Sequence, residues 1–205
     1  MAFTKKEARD IERLVKLAQK NDAESFGELY DKFVVLIYRY VYYRVDRGEA
    51  EDLTELVFLK AWENRRRYKK QNGNSFSSWI FRIAHNVVVD FYRARFKNET
   101  TELSDEIISE NQDINPVFQA QSKFDQYELT EVIRQLPQNQ QQVIVLKFVS
   151  ELKNSEIAEV INKTEGAVRI IQFRALARLK KLLDQSKEKK RNKADFAAFK
   201  TMPDV

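Results

Sequence analysis

A chain of 205 residues is long enough for one ordinary domain or two small ones, and its 43% of hydrophobic residues can fill their cores. Only 4 Gly and 3 Pro interrupt it, which favours long helices and argues against sandwiches and barrels. The net charge of +5 is modest, so the distribution of charge along the chain is more informative than its sum.

The residues that the chain lacks exclude several kinds of site. Cysteine is absent, so the chain forms neither a disulfide nor a thiolate metal site, and a single histidine, His85, excludes a multi-histidine metal centre. No nucleophile motif or phosphate-binding glycine loop occurs, so we expect no catalytic residue, no metal and no cofactor. Neither a signal peptide nor a run of about 18 apolar residues is found. We therefore expect a cytoplasmic protein that does not insert into a membrane.

Two amphipathic helices are predicted at the start of the chain. Apolar residues recur at helical spacing over residues 5–20, and again from Phe26, after a capping residue at Asn21 or Asp22. The second helix continues through a tyrosine-rich stretch until the Arg47-Gly48 pair ends it. Packing in a helical bundle accounts for both.

The next predicted helix, at residues 50–62, is apolar around most of its circumference. One apolar stripe would face the domain, and it consists of Ala50, Leu53, Val57 and Ala61. Further apolar residues lie outside that stripe, namely Leu56, Phe58, Leu59 and Trp62. Such a helix is either central in its domain or covered by a partner, and the pattern alone leaves both interpretations open.

A basic segment and a polar helix face follow. Five basic residues surround Tyr68 ahead of an Asn-Gly-Asn loop at 72–74. This combination suits single-stranded nucleic acid, through stacking and phosphate pairing, although a solvated run of charges has the same composition. On the following helix, the spacing of Arg82, Asn86 and Arg93 places them on one outer face. Such a face can hold a DNA backbone and read a base edge.

The composition changes abruptly over residues 98–115. This segment has six acidic residues and no basic one, and Pro116 follows. We predict a flexible acidic linker between two helical domains. Its charge either serves solubility or lets it occupy a nucleic-acid path in a partner, and both interpretations stay open.

The C-terminal part carries a helix-turn-helix pattern over residues 152–183. Asn154 or Ser155 can cap its first helix, the turn falls at Asn162-Lys163, and Thr164 caps a longer, basic second helix. The second helix of such a motif lies in the major groove of DNA. A helical hairpin in a bundle has the same periodicity, but the basic residues favour DNA binding.

The predicted fold is all-α, with two small helical domains joined by an acidic flexible linker, the C-terminal domain being a helix-turn-helix. The expected boundaries are an N-terminal helix at 1–21, a helical domain at 22–97, the linker at 98–125, the helix-turn-helix domain at 126–184 and a basic tail at 185–205.

Three segments, in order, resemble bacterial RNA polymerase sigma factors of the sigma-70 superfamily and the extracytoplasmic-function (ECF) type. EAEDLTELVFLKAW (49–62) is similar to the helix that docks on the polymerase clamp, and FSSWIFRIAHNVVVDFYRAR (76–95) resembles the promoter-melting helix. Residues 136–179 resemble the domain that reads the minus-thirty-five element. The resemblance implies a transcription initiation factor, not an enzyme, that brings core RNA polymerase to promoter DNA. It also implies a monomer in the free state and allows for an anti-sigma factor as a further partner.

The resemblance implies roles for individual residues. Those that bind polymerase would be Asp52, Glu55, Leu56 and Lys60. Those at the minus-ten DNA would be Tyr68, Lys69, Asn72, Asn74, Arg82, Asn86 and Arg93. Those at the minus-thirty-five DNA would be Thr164, Glu165, Arg169, Ile170, Phe173 and Arg174. The acidic linker would follow the RNA path of the polymerase.

The chain departs from the family pattern at three places. Glu55-Leu56 stands where Gln-Glu is common, and Asn162-Lys163 stands where the turn usually carries Gly. Ile170 stands where polar or basic residues often contact DNA, and it favours apolar contact with thymine methyl groups.

Two alternatives remain at this stage. The first is an autonomous helix-turn-helix regulator that binds a palindromic duplex without polymerase. The second is a protein-interaction bundle without a role in DNA binding, which leaves the basic residues of the last helix unexplained.

Overall fold

The computed structural model describes residues 3–70, 75–99 and 123–200, and within these ranges the chain is helical without a strand. The helices of the first part are α1 (Lys5–Ala18), α2 (Ala23–Tyr42), α3 (Ala50–Asn64) and α4 (Phe76–Glu99). Those of the second part are α5 (Lys123–Arg134), α6 (Gln138–Ile144), α7 (Asn154–Val160) and α8 (Glu165–Lys200). Short 3-10 turns occur at Arg47–Glu49 and Arg65–Arg67, and a wider π turn occurs at Val145–Val149.

The all-α prediction is confirmed, and the helices extend into two of the expected segments. α4 continues to Glu99 and α5 begins at Lys123, so both ends of the expected linker are helical, while residues 100–122 lie outside the described part. The expected tail is helical as far as Lys200, because α8 runs on from the helix-turn-helix without a break. Gly and Pro, which would end a helix, are absent from the stretch between Ala167 and Lys200.

Local capping fixes the first two helices. Thr4 and Glu7 form a reciprocal capping box, in which the Thr4 hydroxyl accepts from the Glu7 N–H at 3.2 Å and the Glu7 carboxylate accepts from the Thr4 N–H at 2.7 Å. Asp22 caps α2, whereas Asn21 adopts the left-handed conformation with φ of 73° in the preceding turn. Asp22 is therefore the N-cap of α2, and Asn21 shapes the turn before it.

The core of the first domain lies between α1, α2, α3 and α4. Its largest fully buried side chains include Phe33, Tyr40 and Phe81. The expected inner stripe of α3 is confirmed, since all four of its residues are buried. Ala8 of α1 is exposed, because the buried side of α1 carries Ile11, Leu14, Val15 and Ala18.

The second domain packs α5, α6 and α7 around the first half of α8. Val143, Leu146 and Ile157 are fully buried there, together with Val168 and Ala175 of α8. Three large apolar residues of this domain are exposed, namely Leu129, Phe148 and Leu176. Phe148 lies in the π turn, which changes the angular register of the residues that follow α6. Leu129 and Leu176 lie outside the faces through which α5 and α8 contact the rest of the domain.

The two domains pack against each other. α7 lies along α4, the π turn contacts α2, and the buried apolar residues form one continuous cluster. None of the described helices combines the length and the apolar character that crossing a bilayer requires.

Candidate polymerase and nucleic-acid interfaces

The outer face of α3 carries apolar side chains among charged ones. Leu56 and Leu59 keep 36% and 54% of their surface exposed, and Asp52 and Glu55 are exposed beside them, with Lys60 half-buried at one edge. These residues follow helical spacing opposite the buried stripe. α3 is therefore not enclosed on all sides by its own domain, and this outer face is open in the structure. The residues that the resemblance assigns to polymerase binding do not include Leu59, although the sequence places it, like Leu56, outside the inner stripe.

The basic segment after α3 is tied to α1 rather than lying open. The Arg65 Nε donates to the Ala18 carbonyl at 3.0 Å, and the Arg65 Cζ lies 3.6 Å from the centroid of the Trp62 ring. The Gln19 amide donates to the carbonyl oxygens of Arg65 and Tyr68, at 3.0 and 2.8 Å. Arg65 is thus a structural residue, because its guanidinium is committed to α1 and to the end of α3.

Tyr68, which the resemblance assigns to the minus-ten DNA, is buried, so its ring is not open to a base in this structure. Only 5% of its surface is exposed, and its ring packs 5.6 Å from those of Phe76 and Trp79. Its hydroxyl donates to Glu12 at 3.0 Å. Burial, and then the neighbouring Glu12 carboxylate, raise the pKa of this hydroxyl, which remains protonated. Lys69 is exposed next to it, as a nucleic-acid contact requires.

The predicted polar face of α4 is present. Arg82, Asn86 and Arg93 are all exposed on one side of the helix, and Arg93 pairs with Asp90 at 3.7 Å. The other two residues predicted at the minus-ten DNA, Asn72 and Asn74, lie outside the described part of the chain.

A cleft of about 300 Å³ lies between α3 and α4 at the start of this face. Its lining combines three cationic groups, two amides and an apolar floor: Lys60, Arg67, Arg82, Asn64, Asn86, Trp79 and Ile83. Cations pair with phosphates, amides pair with base edges, and an aromatic ring offers a stacking surface. Asn64 and Trp79 were not predicted from the sequence, and Arg67 was predicted only as one of the basic residues around Tyr68, because these residues lie on separate elements that only the tertiary fold brings together.

The helix-turn-helix follows the prediction at its turn and at the N-cap of α8, but differs from it at the N-cap of α7. Asn162 adopts the left-handed conformation with φ of 52°, and the Thr164 hydroxyl accepts from the Ala167 N–H at 3.2 Å. The cap of α7, however, is neither Asn154 nor Ser155. α7 begins at Asn154, and the Glu156 carboxylate accepts from the Lys153 N–H at 3.0 Å.

The first turns of α8 expose apolar and basic side chains together. Ile170 and Phe173 are 55% and 76% exposed, and Arg169 and Arg174 flank them on the open surface. Arg169 also pairs with Glu165 at 3.4 Å, a contact between exposed groups that contributes little to stability. All six residues predicted for the minus-thirty-five DNA are exposed: Thr164, Glu165, Arg169, Ile170, Phe173 and Arg174.

The two domains match known protein families. Residues 29–97 match the family model described as Sigma-70 region 2, and residues 126–179 match that described as Sigma-70, region 4. The ECF RNA polymerase sigma factor ShbA of Streptomyces griseus is 32% identical over 184 residues, which cover 85% of this chain and 96% of that protein. The chain belongs to the ECF RNA polymerase sigma factors. Another member, BldN of Streptomyces coelicolor, is 36% identical to this sigma factor over 173 residues, 83% of this chain but only 64% of that relative.

A solved structure shares the fold of this sigma factor. The sigma factor RpoE from Bartonella quintana, in complex with the anti-sigma factor NepR, superposes with a TM-score of 0.66 at 20% identity. The match covers 78% of this chain and 98% of that one.

Two polar contacts join the sigma factor's region 4 to the start of α4. The Arg82 guanidinium Nη2 donates to the Glu159 carbonyl of α7 at 2.6 Å, and the Ser75 hydroxyl donates to the Glu156 carboxylate at 2.7 Å. Sequence analysis gave no signal for either contact, because the partners are far apart in the chain.

Further contacts surround His85 on the same side of the molecule. The Gln142 amide lies 2.6 Å from the His85 Nδ1, which accepts in the neutral ring. Burial above all, and then Arg44 and Arg93, lower the pKa of His85 to about 4, so the ring is neutral at pH 7.

Lowering the pH should therefore reduce the free energy of unfolding of this protein, because His85 becomes protonated. The unfolded chain takes up the proton near pH 6.5 and the folded chain only near pH 4, so the stabilisation is complete above 6.5 and declines between the two values. Allowing for solvent screening of a half-buried ring, we expect a loss of about 1–2 kcal/mol in the free energy of unfolding. Urea titrations at several pH values should show that the free energy of unfolding of His85→Gln lacks this loss between pH 6.5 and pH 4. Identical pH profiles for His85→Gln and the unmodified protein would show that His85 is not responsible.

Proposed function

We propose that this sigma factor brings core RNA polymerase to promoters, reads two promoter elements with its two domains and helps to melt the downstream element. This role is not enzymatic, requires no cofactor and places the protein in the cytoplasm. The single observation that supports it most is the cleft between α3 and α4, because its cations, amides and aromatic floor match an unstacked base and its phosphate.

The outer face of α3 is the proposed polymerase-docking surface. Its two exposed leucines, Leu56 and Leu59, supply the apolar centre that protein interfaces need, and charged neighbours form the rim. Asp52, Glu55 and Lys60 are placed to pair with charged groups of a helical partner such as the coiled coil of the polymerase clamp. The departure from the family's Gln-Glu at Glu55-Leu56 makes this centre more apolar.

The cleft and the α4 face are the proposed site of the melted minus-ten strand. A base that leaves the stack loses a few kcal/mol of stacking and pairing, and a pocket that accepts it recovers part of that loss. Trp79 and Ile83 offer the apolar surface, and Arg67 and Arg82 offer charge to the backbone. Lys69, Asn72 and Asn74 remain proposed contacts of the adjoining loop, and Arg93 of the flanking duplex.

The first turns of α8 are the proposed reader of the minus-thirty-five duplex. Arg169 and Arg174 project from the exposed side, where they reach phosphates or guanine edges. Thr164 and Glu165 lie at the N-terminal end of the helix, which points at base edges in this motif. The acidic linker, in this proposal, follows the RNA path of the polymerase and competes there as a polyanion.

Ile170 is expected to contact a thymine methyl group. Its exposed aliphatic side chain lies on the groove side, between Arg169 and Phe173, and an apolar group next to a thymine methyl excludes water. Replacing thymines of the minus-thirty-five element by deoxyuracil should then weaken holoenzyme binding by about 3- to 10-fold, the scale of one buried methyl group.

The matched variant is Ile170→Ser, for which thymine and deoxyuracil should bind alike. Equal sensitivity of the unmodified protein and Ile170→Ser to deoxyuracil would show that another residue reads the methyl group.

Two further partners complete the proposal. The RpoE relative is in complex with an anti-sigma factor, and we propose that an anti-sigma factor also acts on this chain, which is a monomer when free. The proposed function is tested by adding the protein to core RNA polymerase and assaying run-off transcription on a pool of genomic fragments. Polymerase binding with promoter-specific transcripts would support it. Absence of polymerase binding, together with tight binding to a palindromic duplex, would identify an autonomous regulator instead.

A further inference from the structure

The open face of α1 carries cations and no carboxylate. Its basic residues recur at spacings of three, four and three, and all of them are exposed; they form the α1 stripe, which consists of Lys6, Arg9, Arg13 and Lys16. At about 100° per residue they fall within a sector of about 80°, opposite the buried side of the helix, and extend over about 15 Å of its axis. α1 precedes residues 29–97, which match Sigma-70 region 2, so that match does not account for the α1 stripe.

The carboxylates of α1 lie outside the α1 stripe, at Glu7, Asp10 and Glu12. Asp10 pairs with Lys32 at 3.3 Å and with Arg13 at 3.0 Å, and Glu12 pairs with Lys70 at 3.4 Å. Apart from Arg13, the members of the stripe form no ion pair within the part of the chain that the structure describes. Like charges three and four positions apart on a helix repel each other, and an anionic partner would remove that repulsion.

The α1 stripe is continuous with the proposed site of the melted strand. Residues 65–70 run beside α1, and their Lys70 reaches Glu12, which lies within one turn of three members of the stripe. The exposed Lys69 lines a small cavity together with Trp79, which also lines the cleft. Cations therefore extend from the cleft along this segment to the α1 stripe.

The proposed contacts on α4 give the path of the melted strand a direction. Arg93 is proposed at the flanking duplex, on the side of the minus-thirty-five element, and Arg82 lines the cleft about three helical turns nearer the start of α4. A strand that leaves the cleft on the side away from this duplex meets Lys69 and Lys70, and then the α1 stripe.

We propose that the α1 stripe binds the phosphates of the melted strand downstream of the minus-ten element. This inference rests on the proposed function of the cleft and of the α4 face. Lys and Arg side chains that contact phosphates carry no sequence information, so the binding is independent of the downstream bases. It is also sensitive to salt, because each neutralised phosphate releases condensed counterions.

The test compares two forked promoter probes that lack the minus-thirty-five element. Both contain, as single-stranded non-template DNA, the minus-ten segment of a promoter identified by run-off transcription. The strand of the short probe ends there, whereas that of the long probe continues with about ten thymidines, enough to pass the length of the α1 stripe at 3.4 Å per nucleotide. Fluorescence anisotropy measures the affinity of the holoenzyme for each probe.

The stripe variant carries Lys6→Gln, Arg9→Gln and Lys16→Gln, and Gln preserves helix propensity. Its holoenzyme should bind the long probe about tenfold more weakly than the unmodified holoenzyme, and the short probe equally well. Retained affinity for the short probe also shows that the variant is folded and assembled with polymerase. For the long probe, the salt dependence of log affinity should become shallower by about 2, at about 0.7 for each single-strand phosphate.

The matched control neutralises three exposed cations of α8, through Arg178→Gln, Lys180→Gln and Lys181→Gln. It has the same change in charge, and it should bind both probes like the unmodified protein. Full affinity of the stripe variant for the long probe would overturn the inference. An equal loss on both probes would overturn it as well, since the stripe would then act on polymerase or through overall charge. If the unmodified holoenzyme does not distinguish the short probe from one with a scrambled minus-ten segment, the proposed function itself fails, and the inference fails with it.

Discussion

Replacing Leu56 and Leu59 together by Arg is expected to weaken binding to core RNA polymerase by at least about 100-fold. Two exposed leucines at the centre of a docking surface each contribute on the order of 1.4 kcal/mol or more, and a tenfold change in affinity corresponds to that value. The substituted guanidinium groups would in addition be desolvated without partners. Both positions are exposed, so the fold should tolerate the change.

The matched control for this double variant is Leu129→Arg. Leu129 is 38% exposed on α5, in the other domain, and its replacement should leave polymerase affinity within about twofold. Surface plasmon resonance with immobilised core polymerase measures both. Full affinity of the Leu56→Arg, Leu59→Arg protein would show that α3 does not dock on polymerase.

Removal of the Tyr68 side chain is expected to destabilise the protein by about 3–5 kcal/mol, the range for deleting a large buried aromatic group. The ring fills the space between Phe76, Trp79 and α1, and Tyr68→Ala leaves a cavity there. Tyr68→Phe retains the ring and loses only the hydrogen bond to Glu12, which costs about 1 kcal/mol. Urea unfolding gives both values.

The same pair of variants separates packing from stacking on DNA. A ring that stacked on a base would make Tyr68→Ala defective in promoter opening at full stability, whereas a packed ring makes it unstable. Tyr68→Phe should open promoters normally. A stable Tyr68→Ala protein that cannot open promoters would instead support a direct role of this ring at the melted strand.

Features that depend on residues close together in the sequence could be predicted, whereas features that depend on distant residues could not. Asn162 and Thr164 were assigned correctly, because a left-handed turn and an N-cap depend on neighbours within three positions. The inner stripe of α3 and the outer face of α4 were also predicted, since helical periodicity alone determines them. The three segments that carry the resemblance to sigma factors, 49–62, 76–95 and 136–179, include these features.

The errors lie where a distant element decides the environment. Tyr68 and Arg65 belong to a basic segment that looks solvated, and only the folding of α1 over it shows that they are structural. Asn64, Arg67 and Trp79 line the same cleft from separate elements, and no sequence spacing predicts that they lie together. The seat of region 4 on α4 is a contact between segments about 80 positions apart.

The central claim, that the cleft between α3 and α4 holds the melted strand, is tested most directly by permanganate reactivity of minus-ten thymines in holoenzyme complexes. Arg67→Glu with Asn86→Ala alters the cleft without touching the contacts of α7, and Lys181→Glu on the exposed side of α8 serves as the charge control. The account predicts at least a tenfold loss of reactivity in the cleft variant, with polymerase binding retained and the control unaffected. Unchanged thymine reactivity in the cleft variant would contradict it.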